Sequence, residues 1–479
     1  MNELSLNLNQ KKDYYIDISE TDFIDQQNRD YFILIRKETG SWCVIDKIHQ
    51  ELLNTLYCTC TFDEFNNSFP NKIEVLKTLF QSDVLRINGN YLMKSDWMTK
   101  LRKCVDYPAA LIVKYTRDCN LHCSYCYAAT NEKRSLSMDN SMVIQLLKKM
   151  IDTYGDRKFA LTLHGGEPTI RYYDIVELVT EIKKISSKIE VTLQTNATLI
   201  TNEVAEFFAK ENIRVGISLD GYDDYTNSCR LYRNGASSLE KSLKGLENLV
   251  NARATVGLLC VITSINQDYL LDYISFYQHK GIKYFVFNTF CPAGRGENKK
   301  YEVDNNNFVD TYIKLILYIN NYNASQNDRK HFIAERGISS LIKKITTRED
   351  KYMCTQSPCG AGRGTLGFDM NGAIYPCDSF ISHEEFEIGN IFECNDLRKI
   401  IVEHNATQSL LNHNIITIKE CSLCPWKMLC TTHCASNAFF FNKDFNHPGN
   451  MCKSMKLIIP QIIDLLKNNL INPSNFIFD

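Results

Sequence analysis

The chain has 479 residues, 44% of them hydrophobic and 23% charged, and a formal net charge of −2 at pH 7. This balance offers no basic footprint for nucleic acid, so we expect no nucleic acid partner. The polar N-terminus lacks the apolar core of a signal peptide, and no apolar run approaches the about 18 residues of a membrane span. We therefore expect a cytoplasmic protein with no membrane partner and, at roughly 150 residues per domain, two to four domains.

The cysteine content is the unusual feature of the composition, with 19 residues. Disulfides are not expected in a cytoplasmic protein, because the cytosol keeps thiols reduced. Clustered thiols in this setting are more often metal ligands. Three of them fall in one short motif after residue 118, and eight of the nine between residues 354 and 452 fall into two further ordered sets. Metal binding is therefore expected in two separate regions.

Residues 1–100 predict a small α/β module. Two β-rich segments come first, then two segments with helical spacing of apolar residues, then an Asn-Gly pair typical of a tight hairpin turn. This order is typical of a winged-helix-like unit. In chain order the segments are Tyr31–Arg36, Trp42–Ile45, Ile48–Tyr57, Ile73–Phe80 and Leu85–Met93.

Residues 108–325 alternate strand-like and amphipathic segments through six β-α units. Such units predict a parallel sheet, whose ligand site lies at the carboxyl ends of its strands. Residues 326–479 show weak periodicity, and metal clusters are expected to organise them. The predicted strands are Ala110–Tyr115, Phe159–Leu163, Glu190–Thr195, Arg214–Leu219, Thr255–Ile262 and Tyr284–Asn288.

The first predicted strand leads into Cys119-x3-Cys123-x2-Cys126, with a tyrosine before the last cysteine. Four-iron–four-sulfur clusters normally take four thiolates, so three thiolates leave one iron open to a cofactor. The alternatives are a zinc site that uses His122 or three unrelated thiols. The motif and its position resemble the radical S-adenosylmethionine (SAM) superfamily, in which the open iron chelates SAM. The resemblance implies a partial (β/α)6 radical SAM barrel and a 5′-deoxyadenosyl radical that abstracts hydrogen from the substrate.

Other strand ends carry further motifs of this family. Gly165-Gly166-Glu167 follows the second strand, and it resembles the segment whose backbone and Glu hold the amino group of SAM. Two glycines let the backbone approach a ligand closely. Asn196 ends the third strand, and by resemblance it lies near the ribose and carboxylate of SAM.

The fourth and sixth strand ends supply the remaining candidates. Ser218 is similar to a residue near the ribose and carboxylate of SAM, and Arg233 to one that pairs with the carboxylate, although Arg230 competes for that role. Arg295, in Pro-Ala-Gly-Arg after the sixth strand, resembles a substrate-facing residue of peptide-modifying members. A solvated loop is the alternative there.

The C-terminal cysteine spacing resembles the SPASM domain of radical SAM peptide-modifying enzymes. The resemblance implies two auxiliary [4Fe–4S] clusters in addition to the SAM-binding one, three in all. A zinc knuckle at the C-x2-C pair is the alternative. By resemblance, auxiliary cluster I is bound by Cys354, Cys359, Cys377 and Cys434, and auxiliary cluster II by Cys421, Cys424, Cys430 and Cys452.

Two sequence features bear on the substrate, and they favour different substrate classes. Asp378 directly follows Cys377 in a segment that resembles anaerobic sulfatase-maturating enzymes, where this Asp is proposed as the general base; a helix or turn cap is its other interpretation. The N-terminal module resembles the PqqD-like element that binds the leader of a precursor peptide as an added strand. Tyr31–Arg36 is then expected to form the edge of a groove and Ile73–Phe80 its wall. A structural cap on the barrel is the alternative.

The function ranked first is therefore a radical SAM peptide maturase that forms sulfur-to-carbon thioethers of the sactipeptide or ranthipeptide type. A carbon–carbon (cyclophane-type) maturase ranks second, and a formylglycine-forming sulfatase-maturating enzyme third. A zinc-binding adaptor is the non-enzymatic alternative. The resemblance implies two partners: a precursor peptide bound through its leader, and an external electron donor of the flavodoxin or ferredoxin-like kind.

Overall fold

The computed structural model describes residues 14–25, 29–92, 107–128, 137–349, 352–431 and 434–477. The chain divides into two compact units. One groups Met1–Arg102 with Cys421–Cys430, and the other groups Lys103–Glu420 with Thr431–Asp479. Within the described ranges, no helix is long and apolar enough to cross a membrane.

The first unit combines short strands with three helices in its described residues. Two of its helices begin close to the predicted positions, and the one between them, Phe62–Ser68, was not predicted. The strands are β1 (Tyr15–Asp17), β2 (Asp22–Asp25), β3 (Tyr31–Arg36), β4 (Ser41–Asp46), β5 (Cys60–Thr61) and β6 (Arg86–Ile87), and the helices are α1 (Gln50–Tyr57), α2 (Phe62–Ser68) and α3 (Ile73–Gln81).

The main sheet of this unit is antiparallel, with the strand order β2-β3-β4. The prediction that Tyr31–Arg36 forms the edge of a groove is wrong, because this strand pairs with β2 on one side and with β4 on the other. All six of its residues are buried, as expected for a central strand covered on both faces. The edge strands are β2 and β4, and α3 packs beside β4.

The predicted hairpin turn is present after β6. Asn88 and Gly89 both have positive φ, 50° and 74°, and Ile87 bridges to Asn90 across them. Asn-Gly is the pair that tolerates this left-handed backbone most readily, which is why it marks two-residue hairpins. Met93, at the end of the predicted segment, lies outside the described residues.

A buried ion pair joins the sheet of this unit to Asp83, two residues after α3. Arg36 Nη1 lies 2.8 Å from Asp83 Oδ2, with side-chain exposures of 5% and 0%. The Ser41 hydroxyl donates to the same carboxylate oxygen at 3.0 Å, and the guanidinium stacks 3.4 Å from the centroid of the Tyr91 ring. A charge taken out of water needs such partners, so this cluster is sensitive to the loss of one member.

Replacing Asp83 with asparagine is expected to destabilise the first unit by about 3–5 kcal/mol, because Arg36 would stay buried without its counter-charge. Asparagine tolerates the left-handed backbone of this position (φ 59°), so the charge is the main change. Amide exchange of strand β3 measures the effect. Glu74→Gln is the control, since its pair with Lys77 is largely exposed and contributes little. A loss below about 1 kcal/mol for Asp83→Asn would contradict a stabilising role of the buried pair.

The second unit is built on a parallel sheet with helices between its strands. Its first strands are β7 (Ala110–Thr116), β8 (Phe159–Gly165), β9 (Ile189–Thr195), β10 (Arg214–Ser218), β11 (Val256–Ile262) and β12 (Tyr284–Thr289). The helices that follow the strands are α4 (Asn140–Tyr154), α5 (Tyr172–Ile185), α6 (Asn202–Lys210), α7 (Leu239–Asn251), α8 (Leu270–His279) and α9 (Asn305–Ala324).

The six strands lie in sequential order and all pair in parallel, so the predicted β/α alternation and parallel sheet are confirmed. Right-handed connections between sequential parallel strands place the helices on one face of a sheet. Because the six strands are parallel, their carboxyl ends all lie at one rim of the sheet. The predicted cofactor motifs lie at this rim.

The C-terminal region contains regular elements that its weak periodicity did not indicate. The strand β14 pairs in parallel with β7 and continues the large sheet through β15 and β16, while β13 extends its opposite edge. The added strands are β13 (Ala334–Glu335), β14 (Thr365–Phe368), β15 (Ala373–Tyr375) and β16 (Gly389–Asn390). The later helices are α10 (Arg336–Thr347), α11 (Leu397–Glu403), α12 (Asn405–Asn412), α13 (Lys419–Ser422), α14 (Ala435–Asn442) and α15 (Cys452–Lys467).

Candidate active site

The loop with the first cysteine set begins where β7 ends. Burial raises the pKa of the Cys119 thiol to about 12, and the nearby Cys123 and Cys126 thiols add to this rise. Two backbone hydrogen bonds join the loop to the segment after β10. The Ser124 N–H donates to the Cys229 carbonyl at 3.0 Å, and the His122 N–H donates to the Leu231 carbonyl at 2.7 Å. The structure therefore brings the three predicted ligands of the SAM-binding cluster together at the rim of the sheet.

Gly165 and Gly166 lie against the backbone of the chain that enters this loop. A Cβ at Gly166 would lie 2.0 Å from the Asp118 carbonyl oxygen, and one at Gly165 would lie 2.3 Å from that of Thr116. Gly165 also has φ +126°, a backbone conformation that other residues rarely adopt. The Gly166 N–H donates to the Thr116 carbonyl at 2.6 Å. Both glycines are thus required for the second strand end to reach the cysteine loop.

Glu167 is buried, and its carboxylate joins the ends of β8 and β9. Its Oε1 accepts hydrogen bonds from the N–H and hydroxyl of Thr169 and from the Thr195 hydroxyl, and its Oε2 accepts from the Asn196 N–H at 2.6 Å. Burial raises the pKa of Glu167, whereas these hydrogen bonds lower it. Thr169 and Thr195 were not predicted as site residues; a hydroxyl beside the Gly-Gly-Glu motif was the available signal.

Asn196 binds the cysteine loop directly. Its side-chain amide donates to Asn120 Oδ1 at 2.8 Å, and Asn120 in turn donates to the Thr198 hydroxyl at 2.7 Å. Ser218 accepts a hydrogen bond from Gln194 Nε2 at 2.8 Å. Asn120 and Gln194 are therefore further polar residues of this rim, and sequence reasoning assigned them no role.

The two candidate arginines lie in different environments. Arg233 is exposed, whereas Arg230 is buried beside Cys123 and donates from Nη1 to the Tyr125 hydroxyl at 2.9 Å. Tyr125 donates to the buried Asp220 carboxylate, which also accepts from the Val261 N–H. Burial raises the pKa of Asp220, opposed by the Arg230 charge. Arg230 is thus part of an internal network behind the cysteine loop.

Arg295 is directed at the cysteine loop. Its Nε donates to the Cys123 carbonyl at 2.9 Å, and its backbone N–H donates to the Cys126 carbonyl at 3.0 Å. A Cβ at Gly294 would lie 2.5 Å from the same Cys126 oxygen, so these backbones are in close contact. The loop after the sixth strand therefore packs against the cluster loop and is not simply solvated.

The face of the parallel sheet that the helices leave uncovered is polar and accessible. Along β8 and β11, buried side chains alternate with half-exposed ones. The half-exposed set includes polar side chains of β8, β9 and β10. These residues include Thr162, His164, Thr192, Gln194 and Ser218.

The four predicted ligands of auxiliary cluster I are mutual neighbours. The thiol of Cys354 interacts electrostatically with that of Cys434, Cys359 interacts with both, and Cys377 interacts with Cys354. Burial raises the pKa of the Cys359 thiol to about 12. A fifth thiol, Cys291, lies near Cys434 and was not predicted as part of this group.

Asp378 lies between the first cysteine loop and the auxiliary cluster I group. Its Oδ2 accepts a hydrogen bond from the Tyr127 hydroxyl at 3.1 Å, and its Oδ1 lies 3.0 Å from the Cys377 sulfur. Tyr127 directly follows Cys126, so one hydrogen bond spans the two cysteine sets. Asp378 is the first residue of a short 3-10 helix, whose N-cap residue Cys377 makes no side-chain capping hydrogen bond.

Three of the four predicted ligands of auxiliary cluster II belong to the first unit. Cys421, Cys424 and Cys430 lie in a compact loop in which the Cys424 N–H donates to the Cys421 carbonyl at 3.0 Å. The Cys430 N–H donates to the Trp426 carbonyl at 2.9 Å, which closes the second half of the loop. Cys452 begins helix α15 of the second unit.

The donor chemistry of these groups fits iron–sulfur clusters, which are held by thiolates, each on a different iron. In the described part of the chain, no group of three or more Cys, His, Asp or Glu side chains converges on a single ion position. The thiols of the first set and of the auxiliary cluster I group are neighbours instead. Gly165, Gly166 and Gly294 remove side chains from the backbone around the first set.

Comparison with known proteins identifies the fold family. A profile of the radical SAM superfamily matches residues 113–277. A cysteine-type anaerobic sulfatase-maturating enzyme of Clostridium novyi is 25% identical over 383 residues, which cover 74% of this chain and 95% of that protein. An uncharacterized protein of Methanocaldococcus jannaschii is 30% identical over 272 residues, 55% of this chain and 89% of that protein.

Solved structures extend the likeness beyond the barrel. anSMEcpe with bound AdoMet has a TM-score of 0.65 at 21% identity and covers 78% of this chain and 96% of its own. SuiB of Streptococcus suis bound to its precursor peptide SuiA has a TM-score of 0.56 at 18% identity and covers 92% of this chain and 99% of its own. Taken with the cysteine loop, the glycine cradle and the sequential parallel sheet, these matches show that the chain is an enzyme of the radical SAM superfamily.

Proposed function

We propose that this enzyme cross-links a ribosomally made precursor peptide, most simply by forming thioethers from its cysteines. The observation that carries the proposal is the N-terminal sheet, in which an edge strand lies beside a helix in a unit separate from the barrel. The likeness to SuiB bound to its precursor peptide covers 92% of this chain and so supports a role for that unit in binding peptide.

We assign the cofactors to the groups of residues described above. Cys119, Cys123 and Cys126 bind one [4Fe–4S] cluster, and SAM binds beside it at the rim formed by Gly166, Glu167, Asn196 and Ser218, with Arg233 at the exposed side. When bound, the cluster and SAM supply the 5′-deoxyadenosyl radical that abstracts hydrogen from the peptide. Glu167 and Asn196 hold the rim in place through hydrogen bonds to β9 and to the cysteine loop.

Asp378 is the residue best placed to take a proton from the substrate. The carboxylate is held by the Tyr127 hydroxyl next to the first cysteine set, and it adjoins Cys377 of the auxiliary cluster I group. A general base must lie within hydrogen-bond reach of its proton, and a fixed orientation improves the geometry. The Tyr127 hydroxyl donates to Oδ2, and Oδ1, which lies 3.0 Å from the Cys377 sulfur, is the oxygen that we assign to take the proton.

We assign the peptide-binding strand from the sheet order and the position of helix α3. Because Tyr31–Arg36 is central, the strand that accepts a leader is β4 (Ser41–Asp46), with α3 (Ile73–Gln81) beside it. An added strand gains backbone hydrogen bonds from a sheet edge, and pockets along the neighbouring helix add selectivity. The proposed groove therefore has helix α3 as its wall, as predicted, but its edge is β4 in place of Tyr31–Arg36.

A sulfatase-type maturase is the second candidate, favoured by relatives named anaerobic sulfatase-maturating enzymes and by the Cys377-Asp378 pair. The decisive experiment incubates the anaerobically reconstituted full-length enzyme, SAM and dithionite with the precursor peptide encoded beside its gene, the same peptide without its leader, and a short sulfatase-derived cysteine peptide. We expect the leader-bearing precursor alone to lose two hydrogens per cross-link and its thiols to resist alkylation. Turnover of the short peptide, with loss of sulfur from its cysteine, would favour the sulfatase-type function.

Iron content tests the cluster assignments independently of any substrate. Three complete ligand sets predict about twelve irons and twelve sulfides per chain after anaerobic reconstitution. Ser substitution of Cys354 and Cys377 is expected to remove about four irons and leave the other two clusters. Iron near four per chain in the unaltered enzyme would contradict the presence of both auxiliary clusters, and zinc in place of iron would favour an adaptor.

A further inference from the structure

The cysteine loop Cys421–Cys430 rests on one turn of the N-terminal sheet. Gly40, in the turn between β3 and β4, has φ +71°, and a Cβ there would lie 2.9 Å from the Met428 Cβ and 3.0 Å from Leu429 Cδ2. Leu429 and Trp426 are buried, at 0% and 5% exposure. Both the turn and the loop belong to the same compact unit, although almost 400 positions separate them in the sequence.

The same turn fixes the start of the edge strand. The Gly40 N–H donates to the Arg36 carbonyl at 2.9 Å, and the next residue, Ser41, is fully buried. The Ser41 hydroxyl lies 2.7 Å from the Thr39 hydroxyl and donates to Asp83 at 3.0 Å. A shift of Gly40 would therefore move the first residue of β4 and break the contacts that hold it against α3.

The shape of the loop depends in turn on its cysteines. Met428 and Leu429 lie between Cys424 and Cys430, and the Leu429 N–H donates to the Trp426 carbonyl at 2.9 Å. A loop of ten residues has few backbone hydrogen bonds of its own, and metal binding supplies the free energy that orders such segments. Thiolate ligands at both ends of Cys424–Cys430 would hold the two residues that support Gly40 in place.

We propose that the cluster bound by the Cys421–Cys430 loop orders the edge strand Ser41–Asp46, so that only the cluster-loaded enzyme captures its peptide. This inference rests on the proposed function for the identity of the peptide and of the cluster. It makes auxiliary cluster II a control on substrate capture in addition to any role in electron transfer. The link runs through packing at Gly40 and needs no direct contact between cluster and peptide.

Hydrogen exchange measured by mass spectrometry tests this coupling in the full-length enzyme without any peptide. The variant Cys424→Ser/Cys430→Ser is compared with the unaltered enzyme, both reconstituted anaerobically. We expect the variant to lose about four irons and its amides at 41–46 to exchange about tenfold faster, while those of the barrel strand Val256–Ile262 stay unchanged. Loss of iron with unchanged exchange at 41–46 overturns the inference and leaves the proposed function intact. An unaltered enzyme without iron in this loop instead overturns the cluster assignment.

A matched glycine pair separates packing from backbone strain. Gly40→Ala and Gly89→Ala both place alanine at a similar positive φ, +71° and +74°, but no atom of the described residues lies within 4 Å of a Cβ at Gly89. Only Gly40→Ala is expected to speed exchange at both 41–46 and 421–430. Leu429→Ala, which removes a contact instead of adding one, is expected to do the same with less strain. Equal effects of the two glycine variants, together with no effect of Leu429→Ala, would show that the loop does not support the strand.

Discussion

Replacing Cys119, Cys123 and Cys126 together with alanine is expected to abolish reductive cleavage of SAM. Iron should fall from about twelve to about eight per chain, since each four-iron cluster depends on its own thiolates. The measurement is 5′-deoxyadenosine formation under dithionite, which needs no peptide, together with iron and sulfide analysis. The effect is expected to be complete because four thiolates on each auxiliary cluster leave no iron open to SAM.

The control for this experiment is Cys229→Ala. Cys229 is buried beside the same loop, and its carbonyl accepts the Ser124 N–H, but its thiol belongs to none of the three ligand sets. The control should keep about twelve irons and most of its SAM cleavage. Unchanged 5′-deoxyadenosine formation by the triple variant would remove the first cysteine set as the radical site.

Replacing Asp378 with asparagine is expected to preserve SAM cleavage and to lower product formation by about 10²–10⁴-fold, the usual contribution of a general base. Asparagine keeps the size of the side chain and its ability to accept the Tyr127 hydrogen bond, but it cannot take a proton. Product is measured by mass spectrometry of the cross-linked precursor, and 5′-deoxyadenosine is measured in the same reaction. Full product formation by the variant would favour a structural role for Asp378.

Tyr127→Phe is the companion variant, because it leaves the carboxylate and removes only its hydrogen bond. A hydrogen bond to a charged group contributes about 1.5–3 kcal/mol, so a smaller loss of roughly tenfold to a hundredfold is expected. SAM cleavage should again be preserved. A larger effect for Tyr127→Phe than for Asp378→Asn would indicate that the tyrosine acts on its own and does not simply hold the carboxylate.

The sequence predicted the barrel well because its signals are local. Each of the six strands has a short β-rich run and is followed by an amphipathic helix. Both patterns can be recognised within a window of about ten residues. The Gly165-Gly166 pair and the cysteine loop were predictable for the same reason. Both lie at the ends of those strands, and their residue types follow from the chemistry. Thiols bind a cluster, and glycines let two backbones approach closely.

Features that depend on contacts between residues far apart in the sequence could not be predicted from local patterns. The edge of the N-terminal sheet was misassigned because β2 has only four residues, Asp-Phe-Ile-Asp, and gives no clear strand signal. Tyr127 and Asp378 are 251 positions apart, so no local sequence pattern indicates their hydrogen bond. The orientation of Arg295 and the packing of the Cys421–Cys430 loop on Gly40 likewise follow only from the folded chain.

The pairing of β14 with β7 has a consequence for protein engineering. A barrel fragment ending near residue 325 would leave β7 with an open hydrogen-bonding edge, and its outward neighbours in β14 and β15 would be missing. Such an edge is a template for association between chains. The catalytic barrel of this enzyme is therefore not a portable module. A chimaera that transplants it should carry residues 365–390 along with it, or it will purify as aggregates whatever peptide-binding unit is fused in front.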